Sequence, residues 1–359
     1  MSTATVPPVP TVDTDRLMQF VFQAVGEVGA SLNTALVVLG DRLGYYRDLA
    51  EHGPSTPAQL AERTGTAEPY AREWLNAQAA GGYVTHDAGR YTLPPEQAVA
   101  LTDESSPAFL PGLFQLALGT VGATDPIADA ARSGAGFGWH EQSTDVHVGC
   151  ERFFRPSYHH HLVAEWLPAL DGVVDKLRAG ALVADVGCGH GASTILMAQA
   201  FPESRFVGSD YHADSVATAR QRAEAAGVSD RVTFVEASAD AFEGSGFDLV
   251  TMFDCLHDMG DPVGAARHVR SALADDGTWM VVEPFAGDSV DDNLNPVGRT
   301  YYGFSTLLCT PSSLSQDVGL ALGTQAGPAR IRDVTTAAGF TRFATAAATP
   351  FNNVFEIRR

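Results

Sequence analysis

Ala181-Leu182-Val183-Ala184-Asp185-Val186-Gly187-Cys188-Gly189-His190-Gly191-Ala192-Ser193-Thr194-Ile195 is the stretch that decides the fold. The apolar run before the glycines is unbroken, as in a strand buried on both faces, and helical spacing begins after them. A strand, a glycine turn and a helix start together make a small-molecule cradle. Gly187, Gly189 and Ala192 also spell the dinucleotide pattern G-x-G-x-x-A, a weak signal in a chain with 35 glycines among 359 residues. Asp185 arbitrates. Its carboxylate, two residues ahead of the first glycine, would repel a pyrophosphate and attract an ammonium or sulfonium group.

Outward from this run the pattern repeats. Residues 206–210 read as a second strand ending in Asp210, whose carboxylate can accept two ribose hydroxyls, with Tyr211 beside it. A helix from about Asp214 stops at Gly227. Residues 232–236, 247–253 and 279–283 are the next three strands. They lead into Ser238-Ala239-Asp240, into Asp254-Cys255-Leu256-His257-Asp258, and to Glu283. A last helix over 329–338 precedes two more strands, 341–347 and 351–357, which fit a closing antiparallel hairpin. The predicted fold is α/β: a Rossmann-like doubly wound sheet of seven strands, the last hairpin antiparallel, with its ligand across the carboxyl ends.

This succession resembles the class I S-adenosylmethionine-dependent methyltransferases over roughly the second half of the chain, the stretch from Asp185 to Gly191 being similar to that family's first motif. The resemblance implies S-adenosylmethionine as cofactor and S-adenosylhomocysteine as product. It implies a cofactor set of Asp185, Gly187, Gly189, Asp210, Tyr211, Ser238, Ala239 and Asp254. Asp210 would meet the ribose, Ser238 and Ala239 the adenine, and Asp254 would line the floor.

The N-terminal part differs. Residues 1–14 read as a loose tail, 15–105 as a winged-helix and dimerisation domain, 106–177 as a helical linker with pocket residues, and 178–359 as the catalytic domain. From Asp15 to Leu49 apolar residues recur at helical spacing, and the helix from Ser31 onward is apolar over most of its surface, which predicts a homodimer to cover it. Thr56 caps a short helix with Pro57 at its first position. A second helix over 68–80 and a hairpin over 81–93 complete a winged helix. Its arginines, Arg63, Arg72 and Arg90, are opposed by Glu62, Glu68, Glu73 and Asp87, so a DNA-reading footprint is lacking. Small-molecule O-methyltransferases, which this arrangement resembles, carry such a domain ahead of their catalytic half.

Charge points the same way. Acidic residues outnumber basic ones 43 to 23, and a net charge of -20 opposes nucleic acid and anionic membranes as partners. Cys150, Cys188, Cys255 and Cys309 form no C-x-x-C pair, which suits a reducing cytoplasm. No apolar run is expected to cross a bilayer.

The chemistry is expected near His257. An imidazole directly after the fourth strand, on the cofactor edge, can take a proton from a hydroxyl acceptor at neutral pH. His257-Asp258-Met259-Gly260-Asp261 resembles the His-Asp-Trp-x-Asp stretch of winged-helix O-methyltransferases, in which that histidine is the base; here Met259 replaces the aromatic. Glu283 could hold the second ring nitrogen, and by the resemblance it matches the orienting acid. Asp317 is the nearest candidate for a third family acid. Phe154 and Tyr158 are expected to approach the cofactor, and the long connection 286–326 to cover the small-molecule acceptor. His159, His160 and His161 point in different directions on a helix, so no metal is assigned; a pair from His140, His147 and His257 would be a better ligand set. Alternatives are a carbon or nitrogen methyltransferase assisted by a metal held partly by His257, a cofactor-sensing regulator, and a dehydrogenase opposed by Asp185.

Overall fold

The computed structural model describes residues 12–359. The expected tail lies outside the described residues except for its last three, of which Thr14 already opens a helix. The chain divides into two compact units between Thr102 and Asp103.

In the first unit a single helix, Thr14–Arg42, is 29 residues long and is capped by Asp13, whose side chain accepts from the backbone of Asp15 and Arg16. The sequence predicts two helices here. Gly26 and Gly29 do not interrupt the helix, because an interior glycine costs only about 1 kcal/mol and no proline is present. Continuity also corrects the membrane expectation: at a mean hydropathy of 1.3 this helix is long and apolar enough to cross a bilayer by length and composition. Leu17, Phe20, Phe22, Val25, Val28 and Leu32 are exposed along it. Its C-terminal half is anchored, with Trp74 donating from Nε1 to the Leu36 carbonyl at 2.8 Å and Gln78 from Nε2 to Asn33 at 2.8 Å. Helices Pro57–Thr64 and Glu68–Ala80 and the hairpin β1 (Thr85–Asp87) with β2 (Arg90–Thr92) form the winged helix, Thr56 closing a capping box with Gln59.

The second unit is built on a seven-stranded sheet: β3 (Leu182–Val186), β4 (Arg205–Asp210), β5 (Val232–Glu236), β6 (Phe247–Phe253), β7 (Leu273–Pro284), β8 (Arg342–Ala348) and β9 (Asn352–Arg358). Their order is β5-β4-β3-β6-β7-β9-β8, parallel through β7 and antiparallel for the last pair. The order reverses between β3 and β6 relative to the chain, which opens a crevice at the carboxyl ends of these strands. Alternate residues feed opposite cores. Val183, Leu249, Met280 and Val282 pack with Leu162, Trp166 and Met197 on one face, and Ala184, Val250, Trp279 and Val281 with Leu256, Val269 and Ile331 on the other. β7 begins before residue 279, at Leu273, which pairs with Phe247; an irregularity then shifts the register, with Gly277 close against the Phe247 carbonyl, before regular pairing resumes at Thr278.

Candidate active site

The glycine turn after β3 sets one wall of a cavity at the carboxyl edge. Gly187 and Gly191 both have positive φ, 74° and 79°, and a Cβ on Gly187 would lie 2.7 Å from Cys255 Sγ. Only glycine suits that position. Gly187, Cys188, Gly189 and His190 line the cavity.

Asp185 does not line it. It is buried at 1 % exposure, and its carboxylate accepts from Ser193 Oγ at 2.7 Å, Thr194 Oγ1 at 2.5 Å and Thr251 Oγ1 at 2.8 Å. The expectation that this acid meets a cationic ligand is therefore corrected: it ties β3 to the start of the following helix and to β6. Burial raises its pKa, and the three hydroxyl donors oppose that rise.

The acid that faces the cavity from this side is Asp210, at the end of β4. Oδ2 accepts from Gly189 N at 2.9 Å and Oδ1 from His212 N at 2.9 Å, which leaves acceptor capacity on both oxygens. Burial raises its pKa. Tyr211, Ser238 and Ala239 continue the same wall, Ser238 Oγ donating to Asp240 at 2.5 Å.

Directly after β6 comes Asp254, which adopts φ 50°, a left-handed conformation uncommon outside glycine. The kink turns its carboxylate into the cavity, where Tyr158 Oη donates to Oδ2 at 2.9 Å and Asn352 Nδ2 to Oδ1 at 2.8 Å. Burial, reinforced by the charge of Glu283, pushes its pKa up to about 8. Tyr158 stacks on Phe154 with centroids 6.1 Å apart, and both line the cavity. Tyr158 opens a π-helical segment, Tyr158–Trp166, and a second one, Ser305–Cys309, contributes Leu308 and Cys309 from the opposite side.

His257 sits in the short helical turn Leu256–Asp258 with its ring 3 % exposed. Its Nδ1 lies 2.5 Å from Glu283 Oε2, while Glu283 Oε1 accepts from the backbone of Leu256 at 3.0 Å. The other nitrogen, Nε2, lies 3.2 Å from Asp258 Oδ1. Burial works against a charged ring, but the charges of Glu283 and then Asp258 overcome it, and the histidine pKa is raised well above its ordinary value. Asp317 is exposed and absent from the cavity wall. The carboxylate that stands at the second nitrogen is that of Asp258, which a tight turn swings round to it.

Several wall residues carry no signal in the sequence. Cys309 reads as an isolated thiol, yet it lines the cavity, and its Sγ lies with a ring nitrogen of His257 and a carboxylate oxygen of Asp258 within 4.8 Å of one another. His190 Nδ1 is buried with no hydrogen-bond partner. His147, its Nε2 2.9 Å from the Trp139 carbonyl, faces the same space; of the three histidines proposed as alternative metal ligands, His147 and His257 line the cavity and His140 does not. Of the run 159–161, two residues do converge: His160 and His161 bring ligand atoms together with Glu165, because the π-helical turn alters the usual spacing. The connection after β7 is locally helical, over Pro296–Phe304 and Thr310–Leu314, and supplies Tyr301, Phe304, Leu308 and Ser312 to the wall.

Residues 184–279 match the family described as a methyltransferase domain, and residues 31–103 the Rv2258c-like winged HTH domain. The mitomycin biosynthesis 6-O-methyltransferase of Streptomyces lavendulae is 28% identical over 255 residues, 66% of this chain and 70% of the relative. The structure of the mitomycin 7-O-methyltransferase MmcR aligns with TM-score 0.67 at 20% identity, covering 97% of this chain and 100% of that one. Human N-acetylserotonin methyltransferase, solved with S-adenosylmethionine, aligns with TM-score 0.67 at 18% identity, covering 100% and 99%. At such identities these two structures show a shared fold. The chain thus carries a methyltransferase domain behind a winged-helix domain, and it is similar to O-methyltransferases of small molecules.

Proposed function

We propose that this chain transfers a methyl group from S-adenosylmethionine to a hydroxyl oxygen of a small molecule, with His257 as general base. One observation carries the reading: the His257 ring, clamped at Nδ1 by Glu283, opens on the same cavity as the glycine turn and Asp210. The cavity fits the cofactor in its own terms. The glycine turn admits no Cβ at Gly187, His190 keeps an orphaned buried nitrogen, and Asp210 retains acceptor capacity for a diol. Gly187, Gly189, Asp210, Tyr211, Ser238, Ala239, Asp254, Phe154 and Tyr158 would hold it, and Asp185 would act by bracing the turn. When bound, the cofactor supplies an electrophilic methyl group on a sulfonium.

The chain's own task is to prepare the oxygen. Glu283 fixes the imidazole's orientation and stabilises its charged form. The active form is the ring that has released its Nε2 proton to solvent while keeping Nδ1–H on Glu283; an acceptor hydroxyl entering between Nε2 and Asp258 then passes its proton to the free Nε2. Replacing His257 with Ala should abolish turnover while leaving S-adenosylhomocysteine affinity nearly unchanged; full turnover in that variant would remove the base from the mechanism.

A second reading has one observation in its favour, the convergence of His257, Asp258 and Cys309 on a space a divalent ion could occupy. Chelator-sensitive activity with stoichiometric metal would select it. Two further features belong to the same proposal. The exposed apolar face of Thr14–Arg42 supports a homodimer, and the four free cysteines suit a reducing compartment such as the cytoplasm. A structural winged helix is supported by its arginines: Arg63 is held by Asp48 at 2.6 Å, Arg72 by Glu68 at 3.0 Å, and Arg90 by the Pro54 carbonyl at 3.0 Å.

A further inference from the structure

The charge lining the cavity discriminates among acceptors. Among the described residues no lysine or arginine lines it, whereas Glu151, Asp210, Asp254 and Asp258 do, and Glu283 lies directly behind His257. Three arginines outside the cavity wall are occupied by carboxylates or amides, two of them by Glu151 itself. Arg222 is held by Glu151 at 3.0 Å, Arg155 by Glu104 at 3.1 Å and Glu151 at 3.6 Å, and Arg152 by Gln115 at 3.0 Å and Glu104 at 3.4 Å. Around the proposed base, the carboxylates of Glu283 and Asp258 face the two nitrogens of one imidazole, and Asp254 lines the same cavity. The rest of that end is apolar and aromatic, formed by Leu116, Phe153, Met259, Tyr301, Phe304 and Leu308.

We propose that the acceptor is a hydroxylated aromatic compound bearing no negative charge, neutral or basic, and that this site rejects carboxylate-bearing phenols of the same shape. The inference rests on the O-methyl transfer reading above. An anionic group entering this space loses its hydration, finds no lysine or arginine, and meets a histidine whose two nitrogens already face the carboxylates of Glu283 and Asp258, in a medium less screening than water. A basic group meets carboxylates instead. The walls accept flat rings without preference, so discrimination falls to charge and works by repulsion.

The test uses the intact protein with matched pairs on hydroxylated benzene, naphthalene and anthraquinone scaffolds, each pair differing only as carboxamide or carboxylate. Binding is measured by calorimetry with S-adenosylhomocysteine present, and turnover by release of S-adenosylhomocysteine from S-adenosylmethionine. The carboxamide of at least one scaffold should bind and turn over about tenfold or more better than its carboxylate. Met259→Arg, which places a cation beside Asp258, should narrow or reverse that ratio. Equal or better use of carboxylates overturns the inference and leaves O-methyl transfer standing. Preferential binding of carboxamides without turnover sustains the charge rule and defeats O-methyl transfer. A panel in which no carboxamide binds overturns the proposed acceptor class.

Discussion

Glu283 Oε2 lies 2.5 Å from Nδ1 of His257, while its other oxygen holds the backbone of Leu256 in the turn that carries the histidine. One carboxylate therefore fixes both where the ring sits and which nitrogen is left for an acceptor. It does so from the end of β7, whose residue Val282 pairs with Phe253 of β6, so the geometry follows from strand register.

A pH profile follows from that contact. The base must be neutral to act, and Glu283 with Asp258 raises the histidine pKa against the effect of burial. The acidic limb of kcat/KM should accordingly lie above the ordinary histidine value of about 6.5. Glu283→Gln should move that limb toward lower pH while reducing kcat by about 10²- to 10⁴-fold, since orientation and stabilisation of the charged ring are both weakened. In the fold itself the pair contributes stability below about pH 6.5, lost as pH rises through the elevated folded value. A limb that stays in place in the variant would separate His257 from the profile.

Asp254 gives a prediction about the cofactor. Its carboxyl titrates at about 8, chiefly because it is buried, and it faces the cavity. As pH rises through that value it becomes an anion, which favours the sulfonium of S-adenosylmethionine over the uncharged thioether of its product. The ratio of the two affinities, measured by calorimetry, should rise with pH across about 8. Asp254→Asn, which tolerates the left-handed backbone, should flatten the dependence.

Much of this arrangement is written in short-range pattern, and the exceptions have physical causes. Strand ends and the glycine turn are visible because apolar runs and φ > 0 positions are local properties. Asp210, Asp254, His257 and Glu283 then fall on one edge because parallel strands must end together. What is not visible is where a side chain turns. Asp185 sits at the same strand edge, yet Ser193, Thr194 and Thr251 draw its carboxylate inward, and those partners are 8, 9 and 66 residues away. Asp258 could not be preferred to Asp317 without knowing that residues 256–258 form a tight turn. Cys309 and Asn352 come from the second π-helical segment and the closing hairpin, elements whose approach to β6 is purely tertiary.

The role given to Asp185 is separable from a direct ionic one. Asp185→Ala strips three buried hydroxyl donors of their acceptor, at a cost of about 2–4 kcal/mol, and should lower Tm accordingly. Affinity for S-adenosylmethionine and for S-adenosylhomocysteine should fall by the same factor, because what is lost is the brace of the glycine turn. A selective loss for the sulfonium would restore the acid to direct contact with the ligand.

The exposed face of the N-terminal helix yields the last prediction. Phe20, Phe22, Val25 and Val28 are all more than half exposed on a helix whose mean hydropathy reaches 1.3, an apolar surface of the kind that self-association or lipid would bury. The negative net charge disfavours an anionic bilayer and leaves a second copy as the better cover. Light scattering after gel filtration should return twice the chain mass, and Phe20→Asp with Val28→Asp should return a folded monomer, since neither side chain contributes to a buried core. Flotation of the unaltered protein with neutral or anionic vesicles, together with a monomeric mass in their absence, would assign the helix to a membrane surface instead.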